Sequence, residues 1–280
     1  MGNPGSNRTN DQSEDGVQSR RLPDWISKPT WDFVDQLEEM YRTIALAKTG
    51  ISFLRNFEAI AEFLEGRADI HQFGGDDAEA KLTHAKEIAT QAEREIGSGF
   101  HLMNAQSVVT LWSLLESFVR SFLVNWMENE PGALQVDGIQ NLSIKIGEYE
   151  ALTPEEKCPY ILDRLQLERR SRRRGVAFFE AMLEIFGLNG PVDAELRKTL
   201  LHLWAVRNLI VHQQGKADKI FVEQCAWLGV NLGDEVHISD AQLEKFTDAC
   251  GEYFKSIISR LQDRFGVPRT PGPASPSEPV

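Results

Sequence analysis

The stretch "WAVRNLIVHQQG", residues 204–215, reads as the last turns of an amphipathic helix that Gly215 brings to an end. Traced back to Leu196 at 100° per residue, its apolar stripe falls on Leu196, Leu200, Leu203, Ile210 and Val211. Arg207 lands at about 20°, inside that stripe, where a guanidinium that keeps its proton is costly to bury. Asn208 follows it, and His212 stands in the last turn. The stretch raises the question of why a permanent cation is aimed inward just before a histidine in the last turn.

Helical periodicity extends outward in both directions. Thr30 is positioned to cap a helix over residues 31–47, with Gly50 separating it from a second helix that ends near Gly66. The segment "DDAEAKLTHAKEIATQAEREIG" places Leu82, Ala85, Ile88, Ala92 and Ile96 on one face. A long apolar helix is expected from about His101 to Asn129. Thr153-Pro154-Glu155-Glu156 opens another, which Pro159 should restart and which should continue through an arginine cluster towards Phe186. Ser239 and Gln242 form a capping box for a final helix reaching about Phe265. "GVNLGDEVHIS" is the one β signal, a short hairpin or extended insertion around Gly233-Asp234. The fold class is therefore an all-α helical bundle. Residues 1–22 read as a disordered tail and 23–96 as N-terminal helices packed on a main domain at 97–266. Residues 267–280 read as a disordered Pro/Ser-rich tail.

Composition narrows the function. The chain has 280 residues, 41% of them hydrophobic, which is enough to bury a real core. A formal net charge of −12 means that any nucleic-acid contact must come from a local patch. Cys158, Cys225 and Cys250 show no paired spacing, which points to a reducing, cytoplasmic setting. Neither these nor the six histidines show metal-ligand spacing, so no metal and no cofactor are expected. The run Val108–Met127 is about long enough to cross a bilayer. It carries Glu116, Arg120 and Asn125, so a buried helix and no membrane partner are expected.

An arginine followed by a histidine after four to six residues is common by chance, with roughly one match expected in a chain of this make-up. Three occur: Arg94–His101, Arg197–His202 and Arg207–His212. The first straddles "GSG" and the second lies off the apolar stripe, so only the third stands out. Two structural readings compete with a functional one there. Arg207 can pair with a buried carboxylate such as Glu116, and His212 can serve the helix dipole. Glu116, near Ser113 and Arg120, is itself either part of a structural ion pair or a support for Arg207.

"LWAVRNLIVHQQGKADKIFVEQC", preceded by "VVTLWSLLESFVRSFLVNWM" and followed by "NLGDEVHISDAQLEKF", resembles a HEPN domain (higher eukaryotes and prokaryotes nucleotide-binding) over residues 97–266. In that family an Arg-x4-6-His motif marks metal-independent endoribonucleases that form face-to-face homodimers. The resemblance implies that Arg207, Asn208 and His212 are catalytic, that RNA is the substrate, and that the setting is stress or antiviral defence. It also implies a regulatory or antitoxin-like protein partner. Family toxins silenced by a nucleotidyltransferase carry a tyrosine two residues after the histidine. Here Gln214 stands there, so that modification has no acceptor. The alternative is a non-catalytic module of the same type that binds nucleotides or a protein.

Geometry gives the dimer a purpose. Arg207 and His212 lie about 140° apart around the helix, so one chain cannot readily aim both at one phosphate. A two-fold axis would place each beside the other's copy. The segment "RLQLERRSRRR" is the remaining feature. Arg169, Arg170, Arg172, Arg173 and Arg174 read as an RNA backbone contact, as a solvated face balanced by Asp163 and Glu168, or as a nuclear targeting signal. The six tryptophans read as core fillers that do not cluster with basic residues.

Overall fold

The computed structural model describes residues 21–65, 78–169 and 173–269. It is all-α, with no strand among the described residues. In chain order come α1 (Asp24–Leu54), α2 (Phe57–Glu65), α3 (Ala78–Gly97), α4 (His101–Asn129), α5 (Asp137–Gln140), α6 (Ile146–Glu150) and α7 (Pro154–Arg169). They are followed by α8 (Val176–Glu184), α9 (Ala194–Gln213), α10 (Lys219–Gln224) and α11 (Asp240–Phe265).

The expected apolar helix is α4, and it forms the axis of the bundle. Leu111, Leu115, Phe118, Phe122, Leu123 and Trp126 are all buried along it. It passes the length and hydropathy test for a membrane span, but its apolar side chains are spent on α1, α7, α9 and α11. The N-terminal helix joins this same core. Phe33 of α1 stacks on Phe254 of α11 at 4.8 Å, and Trp25 meets Trp126 edge-on at 5.6 Å. Ala85, Ala89 and Ala92 give α3 a narrow buried face of the expected phase, which lets it lie close against α1.

Several local expectations are corrected. Thr30 caps nothing. The helix already began at Asp24, and the Thr30 hydroxyl donates back to the Ile26 carbonyl at 2.8 Å. Gly50 is accommodated inside α1, and the break comes at Arg55–Asn56. Pro159 likewise sits inside α7 without restarting it. The helix expected to run through the arginine cluster is two helices, α7 and α8, separated at Gly175. Gly175 has φ +56°, and a Cβ there would lie 3.1 Å from the Leu201 Cα, so the chain turns where it touches α9.

The Gly233-Asp234 hairpin does not pair with itself. A turn forms in which Asn231 N–H donates to Asp234 Oδ2 at 2.8 Å. The following residues instead pair antiparallel with the segment leaving α9, through a bridge between Lys216 and Glu235. Val236 N–H donates to the Gly215 carbonyl at 3.0 Å and Ala217 N–H to the Asp234 carbonyl at 2.8 Å. The exit of α9 is thereby pinned three residues after His212. Its entrance is fixed by Glu180, which accepts from Tyr253 Oη at 2.8 Å, Arg260 Nη1 at 2.9 Å and Gly190 N–H at 2.8 Å. The proposed tails lie outside the described residues apart from positions 21–22 and 267–269.

Candidate functional site

Helix α9 starts where Asp193 accepts the N–H groups of Glu195 and Leu196. It ends with Gln214 in the left-handed region at φ +53°, and Gly215 N–H donates to the Leu209 carbonyl. Its buried face is Thr199, Leu200, His202, Leu203, Ala205, Val206 and Leu209. On the helical wheel this face is centred about 100° away from Arg207. The sequence stripe holds at Leu200 and Leu203, which are fully buried, and in part at Leu196 and Ile210, which pack against the core; it fails at Val211, 46% exposed, and Arg207 is half-buried at the border of the core. Its guanidinium escapes full desolvation. Nη1 donates to Asn208 Oδ1 at 3.2 Å, while Nε is enclosed without a hydrogen-bond partner among the described residues.

The outer face of α9 carries the chemistry. Trp204, Asn208 and His212 are spaced four residues apart, so they form one row. They line a groove of about 350 Å³ closed on its far side by Asp218, Ile220 and Gln224 of α10 and the turn before it. Asp218 Oδ1 accepts from Phe221 N–H at 2.7 Å, which caps α10 and fixes that wall. The turn at Gly175 delivers Arg174 to the same groove, its guanidinium 5.8 Å from the Trp204 ring centroid. The structure therefore brings together Asn208, His212 and one cluster arginine. Arg207 is not part of the groove lining, as its angle to His212 requires.

The other expected residues separate from this group. Glu116 is exposed, and among the described residues no ion pair joins it to Arg207; its neighbour Arg120 pairs with Asp163. The described arginines of the cluster, Arg169, Arg173 and Arg174, meet different neighbours. Arg169 is half-buried beside Gly138, and Arg173 pairs with Glu184 at 3.5 Å. Arg170 and Arg172 lie outside the described residues. Nor are the tryptophans segregated from the cations. Trp204 lies under Arg174, and Lys198 Nζ is 5.2 Å from the Trp227 ring. Trp204 was missed although its four-residue spacing from Asn208 was visible in the sequence.

Two further histidines have structural duties. His202 is buried edge-on against Phe246 at 5.0 Å, with Nδ1 3.3 Å from Gln242 Nε2. Burial, reinforced by Lys245, pushes its pKa down to about 4, so it is neutral at physiological pH. His101 lies near His237 and Glu235, close enough in principle to share an ion. However, Ile238 N–H donates to His101 Nδ1 at 3.0 Å. That bond occupies one ring lone pair and leaves the neutral ring's proton on Nε2, which makes His101 a poor ligand.

No family model matches the chain, and no curated protein or solved structure shows significant similarity to it.

Proposed function

We propose that this chain is a HEPN-type, metal-independent endoribonuclease that acts in the cytoplasm as a homodimer. The observation that carries the reading is the row of Asn208 and His212 in a groove that also holds Arg174 and Trp204. A histidine can take and return a proton near neutral pH. Fixed guanidinium charge suits a phosphate whose negative charge grows in the transition state.

In this mechanism the 2′-oxygen attacks the adjacent phosphorus as its proton passes to a base. The bond to the 5′-oxygen breaks, and that oxygen receives a proton. The products are a 2′,3′-cyclic phosphate and a 5′-hydroxyl. His212 of one protomer takes the 2′-oxygen proton beside Arg207 of the other across a two-fold axis, and water supplies the proton to the 5′-oxygen. Arg207, turned away from its own groove, serves the shared cleft beside the second copy, while Asn208 holds the phosphate or the Arg207 guanidinium. Stress or antiviral defence, with a protein that restrains the nuclease, is the biological setting this activity suits.

Incubating RNA with the purified protein in excess chelator tests the reading. Fragments ending in cyclic phosphate support it. Fragments with 3′-hydroxyl ends, or equal cutting of DNA, oppose it.

A further inference from the structure

The side of α9 that lines the His212 groove borders a second cavity nearer the start of the helix. The first groove is walled by α9 residues 204–213 and by 218–224. This second cavity, also of about 350 Å³, lies towards the start of α9, between Arg197, Lys198 and Leu201 on one side and Trp227 on the other. Trp227 stands in the short 3-10 turn Ala226–Leu228, three residues beyond Gln224 of the first groove. The two cavities therefore lie in succession along one side of α9, the first facing α10 and the second facing the 3-10 turn that follows it. Arg197 and His212 are separated by about 22 Å along the helix axis.

The second cavity repeats the composition of the first. Lys198 Nζ lies 5.2 Å from the Trp227 ring, as Arg174 lies over Trp204, and Trp227 is 43% exposed. Arg197 Nη2 donates only a long 3.4 Å bond to the Val192 carbonyl, and the nearest carboxylate to Lys198 is Glu195 at 4.0 Å. Three cations (Arg174, Arg197 and Lys198) thus line the two cavities in a chain of net charge −12. The one anion in the first, Asp218, is occupied in capping α10.

The geometry points to a second nucleotide subsite, in which Trp227 stacks a base and Arg197 and Lys198 hold the flanking phosphate of the single-stranded RNA cut beside His212. This rests on the ribonuclease reading and extends it, by making the substrate an unpaired strand several nucleotides long. Paired tryptophans and cations favour nucleic acid over an acidic peptide, because bases offer flat faces as well as charge. A duplex would keep its bases out of reach of both rings.

Fluorescence anisotropy on the full chain carrying His212→Ala tests it, with single-stranded RNA of about 12 nucleotides and of about 3. Trp227→Ala should weaken binding of the long strand about tenfold and leave the short one unchanged, whereas Trp204→Ala should weaken both. Lys198→Ala should flatten the salt dependence for the long strand alone. Trp227 is partly exposed, so its removal leaves the core intact, and circular dichroism confirms that the variant is folded. Unchanged affinity of Trp227→Ala in that background, while the parent with His212 intact cleaves RNA, overturns this subsite and spares the nuclease reading. Equal binding of a strand with abasic positions, or full displacement by polyglutamate, also overturns it. Failure of the parent to bind or cut any RNA removes the underlying reading itself.

Discussion

Arg207 Nη1 donates to Asn208 Oδ1 at 3.2 Å, which ties a border arginine to the neighbouring residue that lines the groove. If Arg207 acted only by holding Asn208, removing either side chain would have the same modest effect. In the shared cleft Arg207 also meets the phosphate. His212→Ala and Arg207→Ala should therefore each lower single-turnover cleavage by about 10²-fold or more, and Asn208→Ala by less. Equal, small losses for Arg207→Ala and Asn208→Ala would reduce Arg207 to a positioning residue.

Assembly gives an independent check. A protein with Arg207→Ala and another with His212→Ala are each expected to be inactive. Mixed and allowed to exchange subunits, they form heterodimers that retain one intact Arg207 and one intact His212 on opposite chains. Partial recovery of cleavage is the expected result. A 31.6 kDa monomer by light scattering at micromolar concentration would contradict the composite cleft.

The turn at Gly175 carries Arg174 to Trp204. Gly175→Ala forces a side chain into the left-handed region against the Leu201 backbone and should cost about 1–3 kcal/mol of stability. Arg174→Ser should leave stability nearly unchanged and weaken RNA binding for all sequences alike. On a log–log plot it should flatten the salt dependence by about 0.7, the share of one phosphate contact on a single strand. An unchanged slope would return Arg174 to a solvated surface role.

The bundle was legible in the sequence because long helices advertise themselves. The 29-residue α4 and the Ser239-capped α11 follow directly from periodicity and capping. What failed was phase and punctuation. Aliphatic Val211 looked like core but is exposed, because the neighbours of α9 cover Val206 and Leu209 instead, a choice made by packing rather than by hydrophobicity. The sequence also treated Thr30, Gly50 and Pro159 as boundaries, although tertiary contacts carry helices past such weak local signals. The site was half legible. Asn208 and His212 emerged together, but Arg174 reaches them only because Gly175 folds the chain back, a contact between residues far apart in sequence.

His202 makes stability depend on pH. Its pKa is about 4 in the folded chain and near 6.5 when unfolded. As pH falls, the unfolded chain takes up the proton first, so stability that is complete above about pH 6.5 is lost progressively towards pH 4. The gap corresponds to about 3 kcal/mol at most. Urea unfolding at pH 7.5 and 4.5 should show this loss in the parent and a smaller one in His202→Gln. An identical pH dependence in both would mean that His202 is not the group responsible.

The most direct test of the central claim removes one oxygen from the substrate. An RNA strand is mapped for its cleavage site with the protein in excess EDTA, and the same strand is remade with a single 2′-deoxy residue immediately 5′ of the scissile phosphate. Attack by the 2′-oxygen predicts that cutting at that bond stops while cutting at other sites continues. Undiminished cleavage at the 2′-deoxy position would contradict the mechanism, and with it the role assigned to His212.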